Sequence, residues 1–204
     1  MKLPRDPACF QSQIREQIET SIAVKQAMLR DEGMVRQIES LANLCLQSLR
    51  AGGKTIFAGN GGSFADAQHL SAEFTSRFLF DRAPLPSLAL GTNSSAMSAI
   101  GNDYGYDRVF ERELVGMAKP GDVFVPITTS GNSANILAAV AAAKEMNIAT
   151  AALTGQSGGK LKGLCECICI PSTETARIQE CHIMVGHILC GLVESEYFQH
   201  EGRA

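Results

Sequence analysis

Three times along this 204-residue chain a short apolar run gives way to a loop rich in glycine or hydroxyl residues. Thr55-Ile56-Phe57-Ala58 ends in Gly59-Asn60-Gly61-Gly62-Ser63, and a helical pattern follows to about Phe78. Ser87 to Leu90 precedes polar Thr92 to Ser95, and Asp122 to Ile127 precedes Thr128-Thr129-Ser130-Gly131-Asn132-Ser133 and an alanine-rich helix. Two more apolar runs, Ala149 to Leu153 and Cys167 to Ile170, read as strands. Strands that are apolar throughout and separated by helices belong to a parallel sheet covered on both faces. Right-handed crossovers then build a three-layer α/β/α domain with a sheet of about five strands, and ligands are expected beyond the strands' carboxyl ends.

Phe10, Ile14, Ile18 and Ile22 recur every fourth residue, and Ile38, Leu41, Cys45 and Leu49 follow at helical spacing. Two amphipathic N-terminal helices are predicted, parted at Asp31-Glu32-Gly33, together with a long C-terminal helix from about Thr175 to Tyr197. Residues 1–204 fit one domain, with 1–51 as a helical extension and 52–204 as the α/β core, and a hydrophobic content of 45% supplies that core. Eighteen basic residues against 21 acidic ones give a net charge of -3, so bulk charge draws in neither nucleic acid nor anionic lipid, and an anionic ligand must be held by local groups. Met1 to Thr20 lacks the apolar core of a signal peptide, and no apolar run is long enough to span a bilayer. A soluble cytoplasmic protein is expected, with neither nucleic acid nor membrane as partner. Seven cysteines, an odd number without a secretion signal, favour free thiols; Cys165, Cys167 and Cys169 read as one packed strand face rather than a zinc cage.

Two of the loops suit an anion. Thr128 to Ser133 sets the hydroxyls of Thr128, Thr129, Ser130 and Ser133 at a helix start, where unpaired N–H groups and partial positive charge gather. The plainer alternative is an ordinary N-cap by Ser130 or Asn132. Gly59 to Ser63 lets backbone approach a ligand closely, with Asn60 and Ser63 as hydrogen-bonding side chains, or is simply a tight turn. Ser63-Phe64-Ala65 follows Gly62 where a P-loop needs lysine, and the turn is not a dinucleotide fingerprint either.

Residues able to move a proton lie on two helices. His69 and Glu73 stand four apart and share a face, with Arg77 a further turn along; metal binding competes here with a structural histidine and a surface ion pair. In the C-terminal helix Gln179, His182 and His187 interrupt a strongly apolar pattern, and polar groups in a buried helix need partners. Gln179 and His187 are separated by a rise of about 12 Å and about 80° of turn, so they converge on one ligand only at full extension or from different subunits. Glu73 and His187 have the types of a base and an acid for proton transfer beside a carbonyl, and a divalent ion would polarise the oxygens.

Taken together, these segments resemble the phosphoheptose isomerases of the SIS-domain family over essentially the whole chain. The resemblance rests on Gly59 to Ser63, Asp66-Ala67-Gln68-His69, Glu73 with Arg77, Gly101-Asn102-Asp103-Tyr104-Gly105, Ser130 to Asn135, Leu153-Thr154-Gly155, and Ala176 to Glu180 followed by His182 and His187. It implies an α/β/α SIS fold and an aldose-ketose isomerase turning sedoheptulose 7-phosphate into D-glycero-D-manno-heptose 7-phosphate, the first step towards a nucleotide-activated heptose for lipopolysaccharide or capsule. It implies one zinc ion held by His69, Glu73, Gln179 and His187, with Glu73 as base and His187 as acid. Asn60, Gly61, Gly62, Ser63, Glu73, Arg77, Asn102, Asp103, Thr128, Thr129, Ser130, Ser133 and Gln179 would contact the substrate. It also implies a homotetramer with active sites at subunit boundaries. Thr128 stands where many members have serine, and zinc on Glu73 would weaken it as a base. Two alternatives are a non-catalytic SIS scaffold that binds a replication initiator, which would not need the Glu73 and His187 pair, and an isomerase of another phosphosugar.

Overall fold

The computed structural model describes residues 7–199; residues 1–6 and 200–204 of the expected domain lie outside the described residues. Two helices come first, α1 (Pro7–Arg30) and α2 (Glu32–Arg50), parted at Asp31, whose carboxylate caps α2 by accepting from the Met34 N–H at 3.0 Å. The core then runs β1 (Thr55–Gly59), α3 (Gly62–Thr75), β2 (Ser87–Ala89), α4 (Ser94–Tyr104), α5 (Val109–Met117), β3 (Val123–Thr128), α6 (Ala134–Glu145), β4 (Ala149–Thr154), β5 (Glu166–Cys169) and α7 (Thr175–Gln199). All strand pairs are parallel, in the order β2-β1-β3-β4-β5.

That order explains the layers. From β1 the chain steps one way to β2 through α3; from β3 it steps the other way to β4 through α6. Keeping both crossovers right-handed puts α3 and α6 on opposite faces. Phe57, Val125, Ile127, Leu153 and Ile168 meet α2, α3 and α7 on one face, while Ile56, Ala58, Phe124 and Ala152 meet α5 and α6 on the other. Every residue of β1 and β3 is buried, as a sheet covered on both sides requires. The three-layer α/β/α architecture read from the sequence is the one observed. Cys165, Cys167 and Cys169 pack on the α5–α6 side, and the six described cysteines are free. No described helix is long and apolar enough to cross a membrane.

One expectation needs correction. The helix after the glycine turn stops at Thr75 instead of continuing to about Phe78, so Arg77 is not a further turn of it and lies exposed on the following segment. Other partners take the backbone there: the Arg82 guanidinium donates to the Phe74 and Ser76 carbonyls, and the distant Glu194 carboxylate accepts the Phe78 and Leu79 N–H groups. Between β2 and β3 the chain also forms α4 and α5. Both predicted N-terminal helices are present, and their apolar stripes are covered differently. Leu41, Cys45 and Leu49 of α2 are in the core, whereas Phe10, Ile14, Ile18 and Ile22 of α1 are about half exposed.

His182 ties α7 to the sheet: its Nε2 donates to the Thr154 carbonyl at 3.1 Å in a site with no solvent exposure. Burial pushes its pKa down from 6.5 to about 4, against the opposing pull of that carbonyl. The folded protein therefore refuses a proton that the unfolded chain takes near 6.5. Stability is complete above that value and drains as the pH falls towards 4. Denaturant titrations at pH 7 and pH 5 should differ by about 2 kcal/mol through this one group. The difference should shrink in His182→Gln.

Candidate active site

The carboxyl ends of β1 and β3 are neighbours, and from them the chain departs to opposite faces, which leaves a crevice between the two following loops. The β1 loop turns into α3 at Gly61, held at φ 57°, a conformation natural to glycine. Gly59 is just as constrained, because a Cβ there would overlap the Ser63 carbonyl. The β3 loop turns at Gly131, φ 65°, where a Cβ would overlap the Gly158 carbonyl. Both α3 and α6 begin without a side-chain cap. No side chain takes up their first N–H groups, which by helix geometry point back towards the carboxyl ends of β1 and β3.

Hydroxyl placement separates the two readings of the β3 loop. The N-cap of α6 is Ser133, not Ser130 or Asn132, and its hydroxyl makes no capping bond; it lies 3.3 Å from the Thr128 hydroxyl instead. Ser130 accepts from the Asn132 N–H, shaping the turn, while Asn132 reaches the Lys160 N–H at 3.0 Å. Thr128 is buried, Thr129 and Ser133 are half-buried, and Ser130 is exposed. The loop is therefore built from internal bonds that leave its helix start open.

Asn60 and Asn135 exchange two amide hydrogen bonds, both 2.9 Å, and Tyr106 donates its hydroxyl to Asn60 at 3.1 Å. Geometrically, Asn60 staples the two loops together. Asn135 and Tyr106 carry no motif role of their own in the sequence; Asn135 lies in the Ser130 to Asn135 segment, but only the fold reveals its partner. Asn102 and Asp103 lie on α4, bonded to each other at 2.8 Å, in a shallow exposed hollow with Ser94, Ser95 and Ser98.

The titratable cluster forms where α3 meets α7. Gly186 permits the approach, because a Cβ there would come within 2.5 Å of the Leu70 methyl carbons. The residues that follow Gly186 and precede Leu70 are His187 and His69, and their Nε2 atoms are 2.9 Å apart. Glu73 Oε1 is 3.3 Å from His69 Nε2. The ligand atoms of all three side chains lie within 4.8 Å of one another, spacing and chemistry suited to a divalent ion bound by two imidazoles and a carboxylate. Phe78 stacks on His187 with centroids 5.5 Å apart and planes 24° apart, fixing that ring. Gln179 is placed against Gly62, at the start of α3, with its amide nitrogen where a Gly62 Cβ would sit. Arg77 is in none of these contacts.

Asp66, one turn before His69, lies within one of the segments that carry the resemblance but has no role assigned to it there. Its Oδ2 is buried with no hydrogen-bond partner, and burial pushes its carboxyl pKa up against the pull of the His69 and His187 imidazoles. Glu194, two turns beyond His187, was missed as well. Burial raises its pKa, but the Leu79 and Phe78 amides and the Arg82 guanidinium outweigh that and hold the carboxyl below the usual range. An acid inside the apolar run Leu192-Val193 was the available signal, since a charge there requires a partner.

A SIS domain model matches residues 18–155 of the chain. The phosphoheptose isomerase of Aneurinibacillus thermoaerophilus is 51% identical over 189 residues, covering 92% of this chain and 96% of that protein. The solved phosphoheptose isomerase GmhA of Neisseria gonorrhoeae superposes with a TM-score of 0.85 at 41% identity, covering 91% of this chain and 99% of its own. A phosphoheptose isomerase structure from Francisella tularensis gives 0.86 at 33% identity, covering 91% and 98%.

The geometry of the β3 loop leads to one expected outcome. Gly131→Ala must relieve both a positive φ and a clash with backbone, so it should lower stability by about 1–3 kcal/mol in thermal or denaturant unfolding. A variant as stable as the parent would show that the loop has room the structure does not give it.

Proposed function

The chain belongs to the SIS domain family and, within it, to the phosphoheptose isomerases, and from that premise we propose that it converts sedoheptulose 7-phosphate to D-glycero-D-manno-heptose 7-phosphate. Membership makes it an isomerase of a small phosphosugar. The observation that carries the catalytic reading is the convergence of His69, Glu73 and His187 from two helices onto one spot. A non-catalytic scaffold has no use for that convergence.

In this reading the phosphate lies at the uncapped starts of α3 and α6. Gly61, Gly62 and Ser63 offer backbone N–H groups there, and Thr128, Thr129, Ser130 and Ser133 offer hydroxyls. Asn60 keeps the two loops in register, while Asn102, Asp103, Gln179 and Arg77 complete the proposed sugar contacts. From Gly62 to His69 is about 10 Å of helix rise, the order of an extended seven-carbon chain with its phosphate. The reactive end of the sugar then reaches the cluster. Glu73 removes a proton from carbon 1 of the open-chain ketose and returns it to carbon 2, while His187 protonates the carbonyl oxygen and recovers a proton from the oxygen on carbon 1.

His69, Glu73 and His187 would hold one zinc ion; Gln179, whose amide in this chain lies against Gly62 about 10 Å of helix rise from His69, would serve as a fourth donor at full extension or from a neighbouring subunit. When bound, zinc supplies Lewis acidity towards the carbonyl and hydroxyl oxygens. A homotetramer with sites at subunit boundaries forms part of the proposal. It is supported by the α1 stripe of Phe10, Ile14, Ile18 and Ile22, between 48% and 58% exposed, which a second copy would cover. A cytoplasmic enzyme that opens the route to a nucleotide-activated heptose, over a single SIS domain with 1–51 as its helical extension, completes the reading.

The direct test incubates the purified protein with sedoheptulose 7-phosphate and follows aldoheptose 7-phosphate formation. Glu73→Gln and His187→Ala should each lower kcat by about 10²- to 10⁴-fold. Absence of product from the metal-supplemented parent would defeat the assignment. Stripping divalent ions should lower both turnover and melting temperature, because ligands on two helices lose a shared bridge, and added zinc should restore both. Unchanged melting after verified removal would refute the metal site.

A further inference from the structure

Behind the cluster lies a buried ion pair that touches neither loop. Arg82 Nε donates to Glu194 Oε1 at 2.8 Å, and the two side chains are only 3% and 1% exposed. Arg82 also grips the backbone at the end of α3 and in its own segment, and Glu194 reaches across from α7 to the backbone of that same segment. Arg82 Nη2 donates to the Glu73 carbonyl at 2.8 Å, and Nη1 donates to the carbonyls of Phe74, Ser76 and Ala83 at 2.7, 3.1 and 3.0 Å. Glu194 Oε1 also accepts the Phe78 N–H at 2.8 Å, and Oε2 accepts the Leu79 N–H at 2.6 Å.

The consequences fall on the proposed acid and base. The last turn of a helix leaves carbonyls without intrahelical partners and favours positive charge. Arg82 supplies both at the C-terminal end of α3, where one of its bonds is to the backbone of Glu73 itself. Glu194 and His187 are seven residues apart, two turns on one face of α7. By holding the Phe78 amide, Glu194 also sets the ring that stacks on His187. One buried pair thus fixes the end of α3 that carries Glu73 and the ring that orients His187. Neither charge can shift alone without leaving the other buried and unpaired.

We propose that Arg82 and Glu194 are positioning residues for the isomerisation, locking the α3 terminus and the Phe78 segment onto α7 so that Glu73 and His187 keep their mutual geometry. The proposal rests on the isomerase reading for its kinetic consequence, but its structural content can be tested without turnover. A pair that merely stabilises the fold would change melting and leave the cluster as it was.

Three variants separate these cases. Glu194→Gln keeps shape and removes charge; Arg82→Lys keeps charge and removes the planar fork; the double variant Arg82→Met with Glu194→Leu leaves no stranded charge and should fold. Asp122→Asn serves as the control, because it disrupts the Lys54 ion pair at the amino ends of β1 and β3, at the far end of the sheet. Misplacement of reacting groups by about 1 Å lowers rates about 100-fold. Glu194→Gln and the folded double variant should therefore lose about ten- to a hundredfold in kcat, with KM within about threefold because the loops are untouched. Arg82→Lys should lie between them and the parent. The His187 ring protons, shifted by the Phe78 ring in histidine-selective NMR spectra, should move towards unstacked positions in the same variants, and zinc affinity should fall. Asp122→Asn should lower melting and leave kcat and those signals in place. A folded double variant with kcat within about twofold of the parent and unmoved His187 signals would overturn the proposal. If the parent itself makes no aldose, the isomerase reading fails, and the His187 signals and zinc affinity alone decide: unchanged values overturn the positioning role, and shifted values support it.

Discussion

Everything distinctive about this molecule depends on how closely α3 and α7 approach. At Gly186 there is no room for even a methyl group beside Leu70, so the two backbones come together where most helix pairs would be held apart by side chains. His69 and His187 occupy the positions next to that contact. Their imidazole nitrogens are thereby brought to hydrogen-bond distance, with the Glu73 carboxylate alongside. Lone-pair donors crowded in this way repel one another unless a proton or a cation is shared among them, and the fold maintains the crowding through a rigid, fully buried packing face.

A second contact, the Arg82–Glu194 pair, keeps that arrangement from relaxing at its open end. It replaces the final turn of α3 with bonds to an arginine and hands the next two amides to a glutamate on α7. Phosphate binding and proton transfer are then assigned to different parts of one helix. In the proposed reading, the N-terminal end of α3 joins the β3 loop to receive the phosphate, and its second half, with His69 and Glu73, meets the sugar's other end. Such separation lets a substrate be gripped by its unreactive end while the reacting carbons are aligned.

Much of this was legible before any coordinates. The returning strand, loop and helix unit identified the parallel sheet, and the residues that resemble known isomerases pointed to both loops and to the two helices that carry His69, Glu73 and His187. The family model ends at residue 155, short of α7, so the domain match does not reach Gln179 or His187. What could not be read was which polar residues serve each other. Asn60 looked like a ligand contact and bonds Asn135 across the crevice; Arg77 looked like a partner of Glu73 and stands apart. Arg82 and Glu194 are 112 positions apart, and no local pattern links them.

The sequence by itself determined the architecture, because strand and helix periodicity reports which side of each element avoids water, and glycine reports where backbone must turn tightly. It also determined the chemical types present: two imidazoles, a carboxylate and a hydroxyl-rich anion loop. Only the tertiary structure decided which of them meet. Periodicity shows that the α1 stripe and the α2 stripe are both apolar, yet α2 is buried within the chain and α1 faces outward. The physical reason is the same in each case: local pattern carries the preference of a residue for burial or for a partner, whereas the identity of the neighbour is set by the packing of elements distant in the chain.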